Sequence, residues 1–168
     1  MLAGVFLLGL LGCSPTFNWR DVRAEQTPLT ALFPCKPDQA SRRVTLGAQE
    51  LMMSMWGCDA GGATFTVAYV DAGQAAQVGP LVSLWKKATL DKMQTQTLDD
   101  GVFMLKGAGV VPAPLKVEAR GVRSDGSPLL AQVAWFTSGS QVFQAAMYHA
   151  PADSTGVADA FFSGLRLQ

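Results

Sequence analysis

One histidine, two tyrosines and three cysteines are all that 168 residues supply, and this scarcity removes several chemistries at once. There is no Cys-x-x-Cys, so a dithiol redox motif is absent. One His with the two cysteines beyond Cys13 makes a poor zinc set, because a structural site takes four ligands. No Gly-x-Ser-x-Gly turn is present to raise a hydrolase serine. Charge of one sign is equally scarce. Thirteen Lys and Arg balance thirteen Asp and Glu, and like charges never exceed pairs such as Arg42-Arg43, Lys86-Lys87 or Asp99-Asp100. A nucleic acid or an anionic bilayer would need a basic patch, so neither is expected as a charge-driven partner. No cofactor and no metal are expected. Nothing repeats at a solenoid period.

The apolar run from Leu2 to Gly12 is too short to cross a bilayer, which needs about 20 residues. Its glycines, Gly4, Gly9 and Gly12, also argue against a buried helix, since each weakens helix propensity by about 1 kcal/mol relative to Ala. The run closes on Leu10-Leu11-Gly12-Cys13, two bulky residues, a small one and a cysteine, and this resembles the lipobox of bacterial lipoproteins. The resemblance implies cleavage after Gly12, diacylglycerol on the Cys13 thiol and acylation of the new amino terminus, with chains such as palmitate. Residues 1–12 are then a signal peptide. No Lys or Arg precedes Arg20, whereas a secretory signal opens on a positive segment, so the true start codon is expected upstream of Met1. Ser14 is not the Asp that favours inner-membrane retention in enterobacterial lipoproteins, so the same resemblance implies the outer membrane, facing the periplasm.

Residues 13–28 read as a lipidated terminus and tether, with Phe17 and Trp19 either docked on the domain or dipping into the interface. Residues 29–168 read as one domain of ordinary length. Strands are expected at Leu29–Phe33, at Arg43–Leu46 and Glu50–Trp56 as a hairpin around Gly47, and at Ala63–Asp71, where both faces are apolar enough to be covered. Pro80 suits the first turn of a long helix with the stripe Leu81, Leu84, Trp85 and Ala88. A strand at Val102–Leu105 and a Gly/Pro-rich bend over Gly107–Pro114 follow. Lys116–Arg123, Leu129–Thr137 and Gln141–His149 are separated by short turn sequences, which makes an antiparallel meander. Ser154 or Thr155 caps a final short helix with the stripe Val157, Ala158, Phe161, Phe162 and Leu165, closed by Gly164 in a left-handed conformation.

Strands interrupted by helices in this order give an α+β fold, a mainly antiparallel sheet flanked by a long helix and a short C-terminal helix. The early Phe33-Pro34, the strand Phe65 to Asp71, the long helix, an Asp-Gly hairpin and the closing Phe161-Phe162-Ser163-Gly164-Leu165 resemble small bacterial envelope proteins of the PsbP-like α/β/α sandwich. Members of that class are mostly adaptors and assembly factors, so the resemblance implies binding rather than catalysis.

Cys35 and Cys58 carry the most specific chemistry of the domain. An exported protein can keep a disulfide, and both cysteines fall near strand ends. A bridge would contribute about 3 kcal/mol in the chain-entropy account. Two separately buried thiols are the other reading. His149, with Asp153 and Ser154 nearby, is the one hydrolase constellation the sequence offers. Gly107-Ala108-Gly109 is a bend rather than a dinucleotide fingerprint. Asp91, Asp99 and Asp100 could gather a calcium ion or simply be solvated, and Trp56, Trp85 and Trp135 read as core. The expected function is a lipid-anchored envelope module that binds a protein partner, not an enzyme. The alternatives are a small hydrolase using His149 and a carrier holding an apolar ligand between sheet and long helix.

Overall fold

The computed structural model describes residues 16–149 and 156–168. Leu10–Cys13 and Asp153–Thr155, with the expected lipid site and helix cap, lie outside them. Among the described residues the first elements are β1 (Arg20–Arg23), β2 (Leu29–Phe33), β3 (Asp38–Leu46), β4 (Gln49–Ala60) and β5 (Ala63–Asp71). The helix α1 (Ala75–Lys92) leads into β6 (Gln96–Val102), β7 (Leu115–Val122), β8 (Pro128–Ser138) and β9 (Gln141–His149). Helix α2 (Gly156–Ser163) and the short β10 (Arg166–Leu167) complete it.

Along β5, Phe65 and Val67 alternate with Ala68 and Val70, and all four are buried. A strand with period-two side chains that are apolar on both faces must be covered on both. It is central in a seven-stranded antiparallel sheet of order β3-β4-β5-β9-β8-β7-β6. Its Phe65 face packs with Phe136, Phe143, Phe161 and Phe33, bringing in α2 and β2. Its Val70 face packs with Leu81, Val82, Trp85 and Trp135, bringing in α1. The second layer also holds a small sheet of order β1-β2-β10. The result is α1 on one face of the large sheet, and α2 with the small sheet on the other.

Several expectations need correction. Arg20–Arg23, part of the segment read as a tether, pairs antiparallel with Phe33–Thr30, and Trp19 and Val22 pack on the core. Phe17 follows the docked one of its two expected readings: a Cβ on Gly61, whose φ is +57°, would meet its ring at 2.5 Å. The long helix starts at Ala75, so Pro80 lies inside it. Pro80 removes one backbone bond there, but it is exposed, and water can satisfy the released carbonyl. The buried stripe is Val78, Leu81, Val82 and Trp85. Ala88 is exposed, and Leu84 is turned outward against Gly47 of the β3–β4 turn. The strand expected at Val102–Leu105 lies earlier, at Gln96–Val102, where Asp99-Asp100-Gly101 form an edge rather than a turn. Gly164 does not take a positive φ. It is small because a Cβ would collide with Leu32 where α2 closes on β2.

The α1 interface carries a buried polar node. Gln144 faces α1 from β9, opposite Trp135 on β8. With its amide oxygen turned to the indoles, it accepts from Trp135 Nε1 at 3.1 Å and from Trp85 Nε1 at 3.3 Å, with Thr89 Oγ1 at 2.9 Å. That orientation follows from the indoles being donors only. Replacing Gln144 by Leu would strand two buried N–H groups, at a cost of about 2–4 kcal/mol. Denaturant unfolding of Gln144→Leu should show this loss, and a change under about 1 kcal/mol would mean that the node is not holding the helix.

Candidate functional site: a trough beside the disulfide

At the end of the sheet that α1 does not reach, three strands present small side chains on the helix-side face. Gly57 of β4 lies between Asp38 of β3 and Thr66 of β5, and Ala40 lies opposite Met55 in the next row. With no bulk in the Gly57 row, a trough of about 430 Å³ opens over it, rimmed by Lys36, Asp38, Met55 and Asp59. This is within the size range of small-molecule sites. Thr64 Oγ1 donates to Asp59 Oδ1 at 2.5 Å, which fixes that carboxylate at the rim. One cation, two carboxylates and threonine hydroxyls can hold a polar group or a peptide backbone. They include no nucleophile paired with a base.

The disulfide sits at this end. Cys35 and Cys58 are bridged with their Cα atoms 6.1 Å apart. Cys35 follows β2, and Cys58 lies inside β4 opposite Phe65, so the bridge ties the small sheet to the large one. The two cysteines were visible in the sequence, but the trough was not. Asp38–Arg42 extend β3 beyond its expected start, and an edge segment exposed on both faces has no alternation to announce it.

The remaining candidates are dispersed. His149 is buried at 3% exposure at the end of β9, opposite Ala63 and Leu130, while Asp153 and Ser154 lie outside the described residues. Tyr148 beside it has its hydroxyl pushed up to about 12 by burial. The space between sheet and α1, where the alternative of a carrier would place an apolar ligand, is occupied by Leu81, Val82, Trp85 and Trp135. Asp91 pairs with Lys87 and Asp100 with Lys86. Asp99 sits opposite Glu118 on the other face of the sheet, so the three aspartates do not meet. Among the described residues no three His, Cys, Asp or Glu converge as metal ligands. Gly109 donates its N–H to the Thr137 carbonyl at 2.7 Å, and Gly107, at φ +85°, packs on Leu167, so these glycines hold the bend against the fold. Trp56, Trp85 and Trp135 are all core. Just before this bend Phe103 packs inward on Phe136 and Phe162, while Val102 and Met104 beside it, and Val110 and Val111 on the bend, point outward with 77%, 87%, 82% and 87% exposure.

No family model matches the sequence, and no curated protein matches it. The solution structure of cyanobacterial PsbP (CyanoP) from Synechocystis sp. superposes with a TM-score of 0.54 at 14% identity, covering 96% of this chain and 99% of that one. A crystal structure of a Pseudomonas aeruginosa protein of unknown function, PA94, reaches a TM-score of 0.41 at 12% identity, over 80% of this chain and 85% of that one. The first likeness establishes a PsbP-like fold for this domain.

With both sulfurs in the bridge, thiol alkylation of non-reduced, unfolded protein should label neither Cys35 nor Cys58. Reduction should lower the unfolding free energy by about 3 kcal/mol. Labelling of both cysteines without reductant would contradict the bridge.

Proposed function

We propose that this chain is a lipid-anchored, periplasm-facing binding or assembly module, held in the outer membrane by acyl chains on Cys13 and without catalysis of its own. The observation that carries the proposal is the Cys35–Cys58 bridge, because structural disulfides persist in exported compartments and are rare in the reducing cytosol. The stretch Leu10–Cys13 supplies an anchor suited to that compartment. Several acyl chains on one residue meet the requirement for at least two signals in stable anchoring. A neutral domain then needs no basic patch to stay at the membrane.

Anchoring through Cys13 also orients the domain. From Cys13 to Thr16 the chain spans at most about 11 Å, and Phe17 is already seated on Gly61. The β4–β5 turn and the disulfide end therefore face the headgroups closely, rather than hanging from a long tether. The binding part of the proposal draws on the trough and on the outward Val102, Met104, Val110 and Val111. Large apolar side chains left exposed along one short stretch of chain suit an interaction surface, and an envelope protein is the partner proposed for them. A hydrolase built on His149 fits less well, since a substrate would have to displace packed strands to reach that ring.

Cys13→Ser removes the thiol that would be acylated. The variant should shift from the membrane pellet to the soluble envelope fraction while keeping the wild-type melting temperature. Unchanged membrane association would refute anchoring through this residue.

A further inference from the structure

The exposed edge of the large sheet is self-complementary in charge. Among the described residues β3 is the terminal strand and pairs only with β4, and its first six residues are all exposed. Asp38, Ala40 and Arg42 lie opposite Gly57, Met55 and Met53, so they share the α1 side, where Met53 packs. Gln39 and Ser41 point to the other side. Among the described residues neither Asp38 nor Arg42 has an ion-pair partner. The run Asp38-Gln39-Ala40-Ser41-Arg42 thus sets an acid and a base at equal distances on either side of a small central residue, on one face of an edge with its hydrogen-bonding groups available.

We infer that two copies of this chain join through β3, antiparallel about a two-fold axis normal to the sheet at Ala40. In-plane rotation by a two-fold keeps both α1 helices on the same side, so residues placed opposite each other point the same way. Asp38 of each copy then faces Arg42 of the other, Gln39 faces Ser41, and Ala40 faces its own equivalent. Opposite charges directly across an antiparallel pair are favourable, and like charges there are unfavourable. Met55, 36% exposed, flanks Ala40 on the α1 side, so an apolar row Met55-Ala40-Ala40-Met55 crosses the axis and joins the two troughs.

Charges on an edge strand ordinarily keep copies apart, and the other edge does just that. β6 presents Asp99 and Asp100 in succession, so a two-fold centred on either one sets like charges together. β3 differs in carrying opposite signs with the spacing that a two-fold requires. Such an interface uses the same patch on both copies and closes at two chains. The inference does not depend on lipid at Cys13.

Sedimentation equilibrium of the full chain in non-ionic detergent tests it, with thermal melting as the check on folding. The wild type should approach twice the chain mass as concentration rises. Arg42→Asp and Asp38→Arg should each weaken association by at least about tenfold, because each creates two like-charge contacts across the axis. The double variant Asp38→Arg/Arg42→Asp should restore association, which a merely misfolded variant could not do. A wild type that stays at one chain, a mass that grows beyond two chains, single reversals without effect, or a double variant that fails to recover would each overturn the inference.

Discussion

Strands β5 and β9 carry apolar side chains on both faces, so neither face of the large sheet can be left to water. Phe65 and Phe143 face one way and Val70 and Val142 the other, all four fully buried. Burying each large apolar side chain is worth about 1.5–3 kcal/mol, and that gain requires two covers. One cover is a single helix, α1. The other is assembled from both ends of the domain, with β1 and β2 from the beginning and α2 and β10 from the end. Pieces so distant in sequence pay a loop-closure entropy before they pack, and Cys35–Cys58 lowers it by pinning the β2 end to β4. The trough follows from the same arrangement: α1 spans only part of its face, and at the uncovered end Gly57 and Ala40 keep the surface low.

What the sequence made legible follows from which elements have period. Leu29–Phe33, Ala63–Asp71 and Gln141–His149 are observed with the bounds expected of them, because their alternation is strong and Gly, Pro or Ser punctuates both ends. The phase of α1 was not legible. Leu84 and Trp85 are both apolar, and only the packing of Leu84 on Gly47 places it outside the stripe headed by Val78. β1 and β10 are short and polar and become strands only through pairing with β2. β6 contains Asp99-Asp100-Gly101, a turn composition, and is a strand because β7 offers it a partner; tertiary context outweighs local propensity there.

The site was legible only in its covalent part. Two cysteines near strand ends foretold the bridge, while the trough is created by what α1 leaves uncovered, which no local pattern encodes. Gln144 carries a similar lesson. A glutamine inside an apolar stretch of strand has no evident purpose until two indole N–H groups converge on it from α1 and β8. The aspartates show the reverse, since adjacent Asp99 and Asp100 invite a shared role that the pleat of β6 forbids by sending them to opposite faces.

These features make one account. A covalently pinned, PsbP-like domain carries its open trough and disulfide at the end nearest its N-terminal segment, and its outward apolar bend at the other. In the proposed setting the first end lies close to the bilayer and the second faces partners. Mass spectrometry of the N-terminal peptide from protein made in a bacterial host tests this most directly. The expected peptide begins at Cys13 and carries a diacylglycerol thioether and an amide-linked acyl chain. A peptide running uncut through Leu11-Gly12-Cys13 with an unmodified thiol would contradict it.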